Sequence, residues 1–155
     1  NEMSEMCNDT EFRKTLESLD PAQQREVATV FVTHVLPLSD DKRLDRVIKA
    51  AADADASKEE LAAALKTAHA VTFDSHARCG AAGHWSDQAG YFVARAAVAA
   101  VTPMAQSRAG GPAWQAAMAA RMAHTTNLID DVSNTQSAHT ECLWQYQTLS
   151  DYLNA

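Results

Sequence analysis

Residues 41 to 53 read DKRLDRVIKAAAD, and this stretch decides the fold. Leu44, Val47, Ile48 and Ala51 follow one another at helical spacing, so one side of a helix is apolar and the charges fall on the other. Ser39 or Asp40, just ahead, is the expected N-cap, because a short polar side chain can accept an orphan backbone N–H there.

The same punctuation recurs outward from this helix. Toward the N-terminus, Asp20-Pro21 opens a helix that runs through QQREVATVFVTHV and stops near Leu36-Pro37. Thr10 is the expected cap of EFRKTLESL, which has acids in its first turn. Toward the C-terminus, Ser57 and Glu60 form a capping-box pattern. That helix is expected to end at Arg78-Cys79-Gly80, where the glycine can turn left-handed. Ser86 opens DQAGYFVARAAVAAV, which Pro103 bends or ends, and Gly110-Gly111-Pro112 breaks the chain before AWQAAMAARMAHTTNLI. DDVSNTQS reads as a loop. HTECLWQYQTLSDYL reads as a last amphipathic helix with Leu143, Tyr146 (or Gln147), Leu149 and Leu153 as its face.

The expectation is therefore all-α: a compact antiparallel bundle of about seven helices. A chain of 155 residues makes this one domain, 1–155, with residues 1–9 expected to be flexible. No repeat of fixed period points to a solenoid. Composition agrees, since alanine, the best helix former, is over-used while aromatic residues are 6% of the chain.

The net charge is −7, unevenly placed. Asn1 to Asp20 holds six acids and two bases, and Met122 to Ala155 holds four acids and no lysine or arginine. No basic run exists to displace counterions from phosphates, which excludes nucleic acid and disfavours anionic membrane surfaces as partners. Acidic ends suit a basic protein partner, and they also suit simple solubility. Cys7, Cys79 and Cys142 are odd in number and widely spaced, so no disulfide framework is read and a cytoplasmic location is the default. The longest apolar run, Tyr91 to Val101, carries Arg95 and falls short of the roughly 20 residues of a bilayer span. No basic segment followed by an apolar one marks a signal peptide.

Residues 69 to 85, HAVTFDSHARCGAAGHW, concentrate metal-binding residue types. His69, Phe73 and His76 share one helix face, Cys79 follows, and His84 lies beyond the Gly80 to Gly83 turn. His76, Cys79 and His84 could approach one zinc ion, though H-x2-C-x4-H matches no established signature. A helix end also attracts histidine through its dipole alone, so no cofactor is the base expectation. His34, His124 and His139 lie on other helices. A di-metal bundle centre would need E-x-x-H pairs, and none occurs. Nucleophile-elbow, P-loop and dinucleotide-binding patterns are absent as well.

Arg95 is the lone charge between Asp87 and Arg108, and Gln88, Arg95 and Thr102 form a polar line at seven-residue spacing. A lone arginine among alanines needs a partner, and Asp74 is the natural one, either as a buried ion pair or as part of a small polar cavity.

The stretches HVLPLSDDKRLDRVIKAA, AALKTAHAV and ARAAVAAV together resemble the immunity proteins of bacterial polymorphic-toxin loci, over Val27 to Val101, about half the chain. Leu36-Pro37, Asp41, Arg43, Val47-Ile48, Ala68-His69-Ala70 and Ala94-Arg95-Ala96-Ala97 carry the resemblance. Leu44 stands where that family has proline, Thr72-Phe73 replace a small residue and arginine, and no histidine follows the A-R-A-A run. The resemblance implies a helical protein that binds and blocks a toxin and has no catalytic residues of its own. Trp114, Trp144, Tyr146, Asp130 and Asp131 are then the candidate partner surface, because aromatic side chains dominate interface energetics. An inhibitor of a host defence enzyme belongs to the same class. The alternative is a small helical metal-dependent enzyme or ligand-binding protein with its site around His69, Asp74, His76, Cys79, His84 and Arg95. A homo-oligomer is a third arrangement.

Overall fold

In the computed structural model, which describes residues 8–82, 86–127 and 137–155, the chain is an all-α bundle, with no strand among the described residues. The helices are α1 (Asp9–Glu17), α2 (Pro21–Val35), α3 (Arg43–Ala52), α4 (Lys58–Ala82), α5 (Ser86–Val101), α6 (Gly111–Asn127) and α7 (Ser137–Leu153). Single 3-10 turns follow α2 (Leu36–Leu38) and α5 (Met104–Gln106). α5 and α6 are central: α5 packs on α2, α3, α4 and α6, while α6 also touches α1, α2 and α7. No helix among the described residues is long and apolar enough to cross a membrane.

Local chemistry sets most helix starts. Asp20 accepts from Gln23 N at 2.8 Å while the Gln23 side chain accepts from Asp20 N at 3.0 Å, and Pro21 supplies a preset φ. Ser57 and Glu60 make the same reciprocal pair at 3.0 and 2.8 Å. Two caps differ from expectation. Asn8, not Thr10, accepts from Glu11 N and starts α1. Asp41, not Ser39 or Asp40, accepts from Arg43 N at the head of α3, while Ser39 Oγ accepts from Asp41 N. α4 runs on to Ala82, past the expected stop at Gly80.

Other helix ends are satisfied across the bundle. Buried Gln24 on α2 donates to Leu16 O near the end of α1 (2.8 Å) and accepts from Ala113 N in the first turn of α6 (3.0 Å). One side chain thereby serves orphan groups of two helices. Arg25 likewise caps α3, donating to Ala51 O and Asp53 O at 3.1 and 2.9 Å. Gly110, in the turn before α6, and Gly111, its first residue, take positive φ of 91° and 87°, and a Cβ on Gly110 would collide with the Trp114 ring.

The core changes character along its length. The buried side chains of α1 and the middle of α2 include the large Phe12, Leu16, Phe31 and Val32, whereas the buried Ala68, Ala94, Ala96, Ala97, Ala116, Ala117 and Ala120 let α5 approach α4 on one side and α6 on the other. The α3 face is buried as read: Leu44, Val47, Ile48 and Ala51.

The α7 face is a correction. Leu143 and Leu153 point outward, 39% and 50% exposed, and the buried positions are Glu141, Cys142, Gln145 and Leu149. Leu149 is buried and Tyr146 packs on the core as expected, but two of the buried positions are polar, so hydropathy alone finds only part of the buried side. They are buried because partners on α2 and α6 wait for them.

Candidate functional site

α2, α6 and α7 converge on Glu141. His34 lies in the last turn of α2 and His124 in the last turn of α6, and both helices aim these rings at the α7 carboxylate. His34 Nδ1 is 2.9 Å and His124 Nε2 is 3.2 Å from Glu141 Oε1. The glutamate side chain is 1% exposed, a heavy desolvation of a carboxylate that only close polar partners can offset. His124 Nε2 is itself buried and no hydrogen bond reaches it. The three donor atoms lie within 4.8 Å of one another. His34 is 39% exposed, which leaves one side of the cluster open to solvent.

Behind this cluster stands an ordered polar chain. Gln145, one helical turn beyond Glu141, donates to Glu141 Oε2 at 3.5 Å and to Ala117 O at 3.0 Å, and accepts from Arg121 Nε at 2.8 Å. Arg121 in turn forks onto both oxygens of Asp9, at 3.0 Å each, and the Tyr146 hydroxyl donates to Asp9 at 2.7 Å. Burial alone would push the Asp9 carboxyl up, but the bonds from Arg121 and Tyr146 outweigh it and hold the group below the usual carboxylate range. Burial and the bond to Asp9 together push the Tyr146 phenol well above its ordinary value. On α6, Ala117, Arg121 and His124 share one face, which is why a single helix can anchor Gln145 and present the imidazole.

An aromatic wall bounds one side of the site. Trp144 lies flat on His34, centroids 3.6 Å apart with planes at 10°, and meets Phe31 edge-on at 6.1 Å. Phe12 links Phe31, Trp114 and Tyr146, the last as a stack at 4.7 Å. Trp114, Trp144 and Tyr146, expected as partner anchors, are thus half-buried and engaged with the core. Arg13 covers the Trp114 ring at 5.3 Å.

The described members of the His69 to Arg95 group, His69, Asp74, His76 and Arg95, do not all converge. Asp74 pairs with Arg43 (2.9 Å), whose guanidinium also forks onto Asp41, and no ion pair joins Asp74 to Arg95. Asp74 is met by Arg43 at the start of α3, so the expected pairing is replaced. Arg95 instead rests its guanidinium on Tyr91 and Phe92, at 5.8 and 5.7 Å. His76 is exposed, with its ring 5.4 Å from Tyr91. His69 and Arg95 do share a cavity of about 530 Å³ between α4, α5 and α6. His84, Asp130, Asp131 and the Cys79 side chain lie outside the described residues.

Sequence reasoning set His34 and His124 aside because the di-metal spacing was missing, and it passed over Glu141. The available signal was an acid four residues before a glutamine on a helix that carries no lysine or arginine. Comparison with family models, curated proteins and solved structures finds no match to this chain.

Proposed function

We propose that this protein holds one divalent transition-metal ion on His34, His124 and Glu141. The observation that carries the reading is a fully buried carboxylate with two imidazole nitrogens close to the same oxygen, 2.9 and 3.2 Å away. Ligand bonds of about 2.0–2.2 Å set neighbouring donors roughly 3 Å apart, so these separations suit a shared ion after a small rotation of the half-exposed His34 ring. Two imidazoles and a carboxylate are the ligand chemistry of zinc and of non-haem iron(II). Three protein ligands leave coordination positions free, and a bound ion would supply Lewis acidity and an activated water there. Gln145 would orient Glu141 from behind, as supporting hydrogen bonds do in metal sites.

The test is metal content by inductively coupled plasma mass spectrometry, on protein purified without chelators. Wild type should carry close to one zinc or iron per chain, and Glu141→Gln and His124→Ala should carry less than about a tenth of that. Circular dichroism would establish that the variants remain folded. Because Trp144 stacks on His34, cobalt(II) or copper(II) added to apoprotein should quench its emission, and Trp144→Phe should remove that quenching. Wild type as empty as its variants, with no quenching, overturns the reading.

A second reading follows from the resemblance to immunity proteins: a cytoplasmic inhibitor of a basic protein partner. Phe73 favours it, standing 72% exposed on the outer side of α4 in a chain of charge −7. Buried aromatic anchors concentrate binding energy in interfaces. Co-purification with the product of an adjacent toxin gene, abolished by Phe73→Asp, is the expected result. Unchanged co-purification removes Phe73 from that role.

A further inference from the structure

The cavity between α4, α5 and α6 lies apart from the His34, His124 and Glu141 cluster and has a chemistry of its own. Its volume, about 530 Å³, is in the range of small-molecule sites. Small residues at Ala99, Thr102 and Ala119 leave room between the larger lining side chains of α5 and α6, and the turn after α5 borders one end with Ser107 and Arg108.

The lining carries two arginines and a histidine, Arg95, Arg108 and His69, and no aspartate or glutamate. Such one-sided charge is notable in a protein of net charge −7. Arg43 and Arg121 both spend their guanidinium donors on carboxylates. The Arg95 and Arg108 side chains make no hydrogen bond or ion pair among the described residues, and Arg95 is held only by the faces of Tyr91 and Phe92. That aromatic support fixes the direction of the guanidinium while leaving its N–H groups unspent. The Thr72 and Thr102 hydroxyls donate to their own helix carbonyls, Ala68 O and Val98 O, while the two guanidiniums keep their N–H groups for an occupant. Leu65, Val98 and the Tyr91 ring supply apolar surface beside them.

We propose that this cavity binds a small anion, a carboxylate or phosphate group carried on a compact organic body, with Arg95 and Arg108 gripping the anionic end. Planar guanidinium forks match both oxyanions. The apolar wall would take the remainder of the ligand.

The experiment titrates the intact chain with inorganic phosphate, citrate and adenosine monophosphate, with uncharged adenosine as control. Binding is read by isothermal calorimetry and by the Nε–Hε resonance of Arg95. At least one anion should bind with a Kd below about 1 mM, with adenosine much weaker. Arg95→Gln and Arg108→Gln should each weaken it about tenfold or more, and Arg95→Lys by less. Arg13→Gln, on an exposed pair outside the cavity lining, should leave it unchanged. Equal affinity for phosphate and adenosine monophosphate would make the occupant the oxyanion itself. Tighter adenosine monophosphate or citrate would make it an organic anion. Absence of binding by every anion at about 10 mM, or binding undiminished in both glutamine variants, overturns the proposal.

Discussion

The two ends of this bundle are built by opposite means. Where α4, α5 and α6 meet, the packing residues are alanines, and the helices are held by close backbone approach. Where α1, α2 and α7 meet α6, large rings fill the space and a polar chain from Asp9 through Arg121 and Gln145 to Glu141 threads between them. The alanine seam leaves room at its margin, and the cavity opens there. The aromatic end leaves no room, and its polar groups are forced onto one another. Small residues create a place for a ligand, while large ones set fixed donors at short range.

This contrast predicts opposite responses to mutation. The largest effect belongs to truncation at the aromatic end. Phe31, fully buried against Phe12 and Trp144, should lose about 3–5 kcal/mol on Phe31→Ala, measured by urea unfolding. A loss under about 1 kcal/mol would mean that this end repacks and is not rigidly set. The seam should respond instead to enlargement. Ala97→Leu, at a site with no exposed surface, should cost about 1–3 kcal/mol, since helices spaced by alanine cannot admit a larger side chain without moving apart. Stability unchanged by that substitution would show that the seam is loosely packed.

The smallest effect is electrostatic and tests how the two ends are tied. Asp9 fastens α1 to α6, and Asp41 fastens the start of α3 through Arg43 toward α4. Asp41 is depressed chiefly by its bond from Arg43, and Asp9 by the bonds from Arg121 and Tyr146 that outweigh its burial. A carboxyl depressed in the folded state stabilises it fully above the unfolded value of 3.8, and that stability is lost as pH falls through the folded value. Both pairs are partly exposed, so each should contribute under about 1 kcal/mol after screening. Asp9→Asn should therefore flatten part of the decline in stability below pH 4, followed by thermal melts in acid. An identical acid profile in the variant would remove Asp9 from the tie.

Much of the fold was legible because helix punctuation is local. Asp20 with Gln23 and Ser57 with Glu60 act within one turn, so residue type and spacing suffice. The Thr10 and Asp40 expectations missed by a residue or two, since several polar side chains near each start were equally able to cap. The α7 face was read only in part, in Leu149 and Tyr146, for a different reason. Glu141 and Gln145 look like solvent residues until His34, His124 and Arg121 are placed beside them, and those belong to other helices. Arg95 was expected to pair with Asp74, but its neighbours, Tyr91 and Phe92, could not be told from periodicity alone, and Asp74 meets Arg43 instead.

The sequence by itself determined that this chain is helical, where most of its helices begin, and which face of α3 is buried. Those properties follow from backbone propensity, caps and periodicity, which act over a few residues. Only the tertiary structure decided that His34, His124 and Glu141 share one oxygen, that Asp74 meets Arg43, and that Arg95 faces a cavity. These depend on how helices distant in sequence are set against one another, and that is fixed by the packing of rings at one end and alanines at the other.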